Sequence, residues 1–337
     1  MGIVSSEPVR LTELTSCGGC AAKWGASLLG ELVAAASSAG NADLLVGLVP
    51  SDDAAVLQVA DGVALVSTTD FFPPLVDDPA DFGAIAAANA CSDVFAMGGD
   101  VVLALNIAAF PESLPAAVIQ AIFRAAAEVV VEAGGVVAGG HTIRSSEPIF
   151  GLAVQGVVAP GEQFTKGGAR PGDALVLSKP LGTGLALASG DPHTIGAATS
   201  TMRQLNRHAA ASLRRHRSAV HAVTDVTGFG LLGHGWEVAE RSAAHLVFDA
   251  SSLPLIDGVV AVAEAGVRTG GDPRNRDYVE GHVGLTAGET AAAIGFDPQT
   301  SGGLLAAVDV GLVDELTGAG FVAVGHAADG PAAVTLR

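Results

Sequence analysis

Apolar positions along the chain fall into two kinds of pattern. Short apolar runs at 54–59, 63–67, 101–108, 136–138 and 149–158 read as strands, and the stretches 81–97 and 115–133 carry the spacing of helices. Ahead of them, residues 1–25 are polar and glycine-rich and read as a mobile flap; a helical pattern covers about 26–36. The turn-forming stretch 166–173, Lys-Gly-Gly-Ala-Arg-Pro-Gly-Asp, leads into a strand at 174–178. Helical patterns follow at about 193–217, 231–242 and 257–265, with strands at 245–248, 304–308 and 321–324. The expectation is a mobile segment over 1–25 and two mixed α/β domains, 26–160 and 170–337.

Composition narrows the function classes. Of 337 residues 49% are hydrophobic but only 4% aromatic, so the interior is expected to be Ala, Val and Leu. The net charge of −18 argues against nucleic-acid or anionic-membrane partners, because no basic stripe is present to neutralise phosphates. Any phosphate ligand must be held locally, with metal ions. Three cysteines without a paired framework, no apolar signal core and no run of ~18 apolar residues predict a cytoplasmic protein.

Candidate chemistry begins at Cys17-Gly18-Gly19-Cys20-Ala21-Ala22-Lys23, where a soft nucleophile and a cation lie three residues apart. The chain has 14 Arg but only three Lys, at 23, 166 and 179, so the lysine at 23 is expected to need a compact, flexible ammonium. A zinc half-site or a redox pair is the alternative, although Cys91 has no second CxxC or HxxxH to complete a zinc set. Carboxylates gather where apolar segments meet turns: Ser51-Asp52-Asp53, Asp70 terminating a strand, Asp93 in a nearly uncharged helix and Asp225 between apolar neighbours. Converging carboxylates repel unless a divalent metal neutralises them, which points to Mg²⁺; singly, each is equally an N-cap or an Asx turn. No GxxxxGK[ST] occurs. Gly228-Phe-Gly230-Leu-Leu-Gly233 fits GxGxxG, with Asp249 ending the next apolar run, and leaves a dinucleotide-binding oxidoreductase open.

The residues taken together resemble the selenophosphate synthetase family (selenide, water dikinase) of the aminoimidazole-ribonucleotide-synthetase-like superfamily. The match runs through Ser51-Asp-Asp-Ala-Ala-Val56, Ser67-Thr-Thr-Asp-Phe-Phe72, Asn89-Ala-Cys-Ser-Asp93, Gly139-Gly-His-Thr142, Ser178-Lys-Pro-Leu-Gly182, Thr224-Asp-Val-Thr-Gly-Phe-Gly230 and Asp297-Pro-Gln-Thr-Ser-Gly-Gly303. The resemblance implies two α/β domains, the N-terminal ones forming a homodimeric β-barrel, and conversion of ATP, hydrogen selenide and water into selenophosphate, orthophosphate and AMP. It assigns catalysis to Cys20 and Lys23, and Mg²⁺ to Asp53, Asp93 and Asp225. ATP contacts fall on Lys23, Pro50, Ser51, Asp52, Asp70 and Asp93, joined by Gly140, His141 and Thr142 of a second copy. The chain departs from the commoner Cys-Gly-Cys-Lys form of the first motif. Within the superfamily, thiamine-monophosphate kinase would share the carboxylates without needing Cys20.

Overall fold

The computed structural model describes residues 9–16, 18–19, 32–33, 35 and 41–337. The first sheet contains β1 (Leu44–Val46), β2 (Ala55–Ala60), β3 (Val63–Phe72), β4 (Asp100–Phe110), β5 (Val136–Arg144) and β6 (Ile149–Val158), in the order β1-β2-β3-β6-β4-β5. All neighbours are antiparallel except β4 and β5. Within one chain this sheet is open, with β1 and β5 as its edges.

Two helices, α1 (Pro79–Ala96) and α2 (Ala116–Glu132), cover one face. Helix α1 starts at Asp78, whose carboxylate accepts the Asp81 N–H at 2.9 Å, with Pro79 in the first turn where no amide partner is needed. From Phe82 to Ala96 all but Asp93 are buried, because the helix is wedged between β3 and β6, α2 and the second half of the molecule. Small residues permit this: a Cβ on Gly83 would lie 2.2 Å from the Ile122 carbonyl of α2. Phe72, Phe82, Phe110, Phe123 and Phe150 fill the space between helices and sheet. The opposite face leaves Phe71, Val102, Leu105 and Ile143 exposed.

The second sheet contains β7 (Ala174–Leu177), β8 (Val220–Asp225), β9 (His245–Phe248), β10 (Val283–Leu285), β11 (Leu304–Val308), β12 (Val322–Ala328) and β13 (Ala333–Leu336), in the order β10-β13-β9-β12-β7-β11-β8. β13 runs parallel to both its neighbours and the other pairs are antiparallel. β7 and β11 are buried at every position, as strands covered on both faces must be. Each half is therefore a mixed sheet with helices. Among the described residues no helix is long and apolar enough to cross a membrane.

Several boundaries differ from the sequence expectation. β3 continues to Phe72, so Asp70 lies inside a strand, paired opposite Leu152. β5 passes through Gly139-Gly140 to Arg144; a Cβ on Gly140 would lie 2.3 Å from the Asn106 carbonyl of β4, so glycine there permits close pairing. The helical pattern at 193–217 is two helices, Pro192–Met202 and Arg207–Arg215. They part at Asn206, whose buried amide donates to Ser92 Oγ at 2.9 Å and to the Gly302 carbonyl at 2.8 Å. The expected helix at 26–36 lies mostly outside the described residues.

Candidate active site

The site is built where the loop entering β2 meets the second sheet. Asp53 sits in that loop, and its carboxylate is held from across the junction. Oδ1 accepts from Thr224 Oγ1 at 3.0 Å, one residue before the end of β8, and pairs with Lys166 Nζ at 2.9 Å. Lys166 in turn meets Glu237 Oε2 at 3.0 Å, on the helix Gly230–Ser242, and Glu237 contacts His234 Nδ1 at 2.9 Å. The Lys166 amide also donates to Asp52 Oδ2 at 3.0 Å. Burial alone would lower the Lys166 pKa, yet Asp53 and Glu237 outweigh it and hold the amine well above its ordinary range. Burial likewise opposes ionisation of Glu237, and Lys166 with His234 reverses this and keeps it a carboxylate. At Asp52 burial, then the Asp53 charge, outweigh the Lys166 amide and charge and push the carboxyl up to about 6.

A second group of contacts surrounds α1. Asn89 and Asp93 stand one turn apart and share a face. Asn89 Nδ2 donates to the Asp70 carboxylate of β3, and Thr68 Oγ1 of the same strand donates to Asp93. Asn89 Oδ1 accepts the Ser301 N–H at 2.8 Å, from the loop preceding β11. Ser301 has a left-handed backbone, φ 50°, unusual for a residue with a side chain. Its carbonyl accepts from Lys179 Nζ at 2.8 Å, and the Gln204 carbonyl accepts from the same amine at 2.6 Å. Burial brings Lys179 down to about 7, opposed by the nearby charge of Asp225. α1 also packs on β8, the strand that ends at Asp225.

The structure thus gathers Asp53 with Thr224, Asp70 and Asp93 on adjoining elements, and Lys179 beside Asp225, along one junction. Pro50 and Ser51 are exposed at its rim, where Arg241 Nη2 donates to Ser51 Oγ at 3.3 Å. Gly140, His141 and Thr142 are exposed on edge strand β5. Cys17, Cys20 and Lys23 lie outside the described residues. Gly19, immediately before Cys20, donates its N–H to the Pro73 carbonyl at 3.0 Å, and a Cβ there would lie 2.9 Å from Thr300 Oγ1. Gly18 and Thr300 line a cleft of about 330 Å³ together with Thr12, Pro74, Gly184 and Pro298.

Sequence reasoning gave no role to Glu237, Thr68, Thr224 or Asn89, and none beyond their rarity to Lys166 and Lys179. That rarity was the available signal: both lysines are buried at the junction. Gly228–Gly233 does join a strand to a helix, but β8 is an edge strand whose one neighbour, β11, is antiparallel. A dinucleotide site needs parallel strands there. Gly230 instead packs closely against the Gly295 carbonyl, and Asp249 pairs with Arg337 at 2.7 Å.

Carboxylate oxygens are the ligands a hard divalent cation takes, but among the described residues Asp53, Asp93 and Asp225 do not bring three ligand atoms within 4.8 Å of one another. Asp53 Oδ2 is buried and has no hydrogen-bond partner among the described residues, leaving one oxygen open to such an ion. A different grouping, Asp173, His221 and Asp309, is centred on the second residue of β8, about 13 Å along the strand from Asp225, and is no part of this junction.

Residues 51–158 match the family model for AIR synthase related protein, N-terminal domain, and residues 170–319 match the C-terminal domain of the same family. A selenide, water dikinase of Myxococcus xanthus is 45% identical over 306 residues, covering 89% of this chain and 87% of its own length. That of Caldanaerobacter subterraneus is 42% identical over 316 residues, covering 92% and 91%. Among solved structures, AaThiL complexed with AMPPCP and TMP superposes with a TM-score of 0.68 at 20% identity, covering 98% of this chain and 96% of that one, a likeness of fold.

Proposed function

The chain belongs to the selenide, water dikinase family and makes selenophosphate from ATP, selenide and water; we propose that it does so at the acidic junction between its two sheets. The observation that supports this placement is that Asp53 is bonded by Thr224, the residue before Asp225, while the helix bearing Asp93 packs on the strand that ends at Asp225. A triphosphate brings about four negative charges into a protein already at −18, so the carboxylates are useful only as holders of cations. Asp53, Asp93 and Asp225 are the residues to hold Mg²⁺, which when bound neutralises polyphosphate charge and fixes the phosphates for in-line attack.

Pro50, Ser51, Asp52 and Asp70 would line the nucleotide. Gly140, His141 and Thr142 would reach it from a second copy of the chain, with the exposed apolar face carrying Phe71, Val102, Leu105 and Ile143 covered in a dimeric β-barrel. Lys23 would stabilise the charge developing on the transferred phosphoryl group, and Cys20 would handle selenium beside it. Hydroselenide attacks the γ-phosphorus and displaces ADP; water then cleaves ADP into AMP and orthophosphate. Residues 1–25 would exclude water from the first step, because hydrolysis of ATP competes with transfer.

Anaerobic incubation with Mg-ATP, with and without selenide, followed by phosphorus NMR, tests the reading. AMP and selenophosphate should appear only with selenide. ADP as the sole accumulating nucleotide would instead mark a simple kinase.

A further inference from the structure

Lys166 lies in the connection between the two sheets, outside every residue given a role above, yet its side chain is 8% exposed and ends between two acids of different domains. The two oxygens of Asp53 are not equivalent. Oδ1 is occupied by Lys166 and Thr224, whereas Oδ2 is buried with no hydrogen-bond partner among the described residues. A carboxylate gripped by one oxygen cannot rotate, and the other is then fixed in direction.

Resting on the reading of Asp53 as a metal ligand, we propose that Lys166 is a positioning residue that locks Asp53 Oδ1 so that Oδ2 is presented to the divalent cation. Glu237 explains how a cation can do this without expelling the metal. An unpaired ammonium beside the site would repel a divalent ion, but Lys166 with Glu237 is a neutral pair, and Glu237 is itself fixed by His234. The chain His234–Glu237–Lys166–Asp53 joins the helix Gly230–Ser242 to the loop entering β2, so the orientation of Asp53 is set by the second domain. Lysine suits the position because a point-like ammonium fits between two single carboxylate oxygens, where a guanidinium fork would demand bidentate partners.

The test is Mn²⁺ binding to the full chain, read by electron paramagnetic resonance with a non-hydrolysable ATP analogue. Lys166→Met should weaken Mn²⁺ by about tenfold or more, the usual effect of losing a group that orients a ligand, and Lys166→Arg should restore part of it. In turnover, the Mg²⁺ concentration giving half-maximal rate should rise more than kcat falls. Unchanged or tighter Mn²⁺ binding in folded Lys166→Met overturns the proposal. If that variant does not fold, Lys166→Met with Glu237→Gln removes both buried charges together and is judged by the same criterion. Asp53→Asn separates this from the underlying reading: weakened Mn²⁺ there with normal binding in Lys166→Met defeats only the role of Lys166, and normal binding in Asp53→Asn defeats the metal assignment. The wild-type protein offers a further check, because its three lysines give at most three Nζ resonances. That of Lys166 should broaden on adding Mn²⁺, and a sharp signal from it in the loaded protein counts against the proposal.

Discussion

Asn89 and Ser301 join the two halves of the molecule: the Asn89 carboxamide accepts the Ser301 N–H at 2.8 Å while its other end donates to Asp70. One side chain therefore ties the Asp70 carboxylate to the loop whose carbonyl receives Lys179. Asn89→Ala removes a bonding partner from two groups in a buried setting and should cost about 2–3 kcal/mol. Urea unfolding with an unchanged m-value would show it, and Mg-ATP affinity measured by calorimetry should fall in parallel.

Lys23→Met should nearly abolish selenide-dependent AMP formation while leaving the circular dichroism spectrum and melting temperature as in the wild type. Cys20→Ser should do the same, and Cys17→Ser should be mild. The reverse order of the two cysteines would transfer the selenium role to Cys17.

Ile143 is 55% exposed on edge strand β5, beside the residues assigned to the neighbouring copy's nucleotide. In the proposed dimer a charge there would meet the apolar face of the second chain. Covering one such side chain is worth roughly 1.5–3 kcal/mol, and symmetry doubles it. If the proposed dimer forms through this face, light scattering should give the dimer mass for the wild type and the monomer mass for Ile143→Asp, and ATP turnover should fall with it.

Asp297 supplies the pH dependence. Its buried carboxylate accepts the Leu185 N–H at 3.1 Å, but burial dominates and pushes its pKa up to about 7. The folded protein then holds a proton that the unfolded chain releases above the ordinary value near 3.8. From this group stability should fall by up to about 4 kcal/mol as the pH rises from about 4 to about 7; Asp52 adds a smaller fall up to about 6, and Lys179, brought down to about 7, makes stability rise again above that. Asp297→Asn should reduce the fall between about pH 4 and about pH 7 in urea midpoints, leaving the part due to Asp52.

What could be read from sequence followed the range of the forces involved. Helix α1 announced itself because a nearly uncharged, small-residue stretch with helical spacing is specified locally. The carboxylates proposed to hold the metal were visible because they stand where apolar segments meet turns or in a nearly uncharged helix. β3 was read too short because Ser67-Thr68-Thr69-Asp70 looks like a strand end, whereas Thr68 and Asp70 are satisfied by α1, far away in sequence. The break at Asn206 has the same origin, since its amide is bonded to Ser92 and Gly302. Glu237 looked like an ordinary helix-surface acid, and only its meeting with Lys166 gives it work. Residues whose partners lie across the domain junction carry no local mark.

The burial of Lys166 and Lys179 makes the junction reportable by chemistry. In the closed molecule both amines are shielded, so a brief pulse of an acylating reagent leaves them unmodified, and they gain mass only when the two halves part. Peptide-level mass spectrometry after such a pulse would separate label on those two lysines from label on Lys23 and the α-amine, and ligands that bridge the halves would register as protection of those two sites.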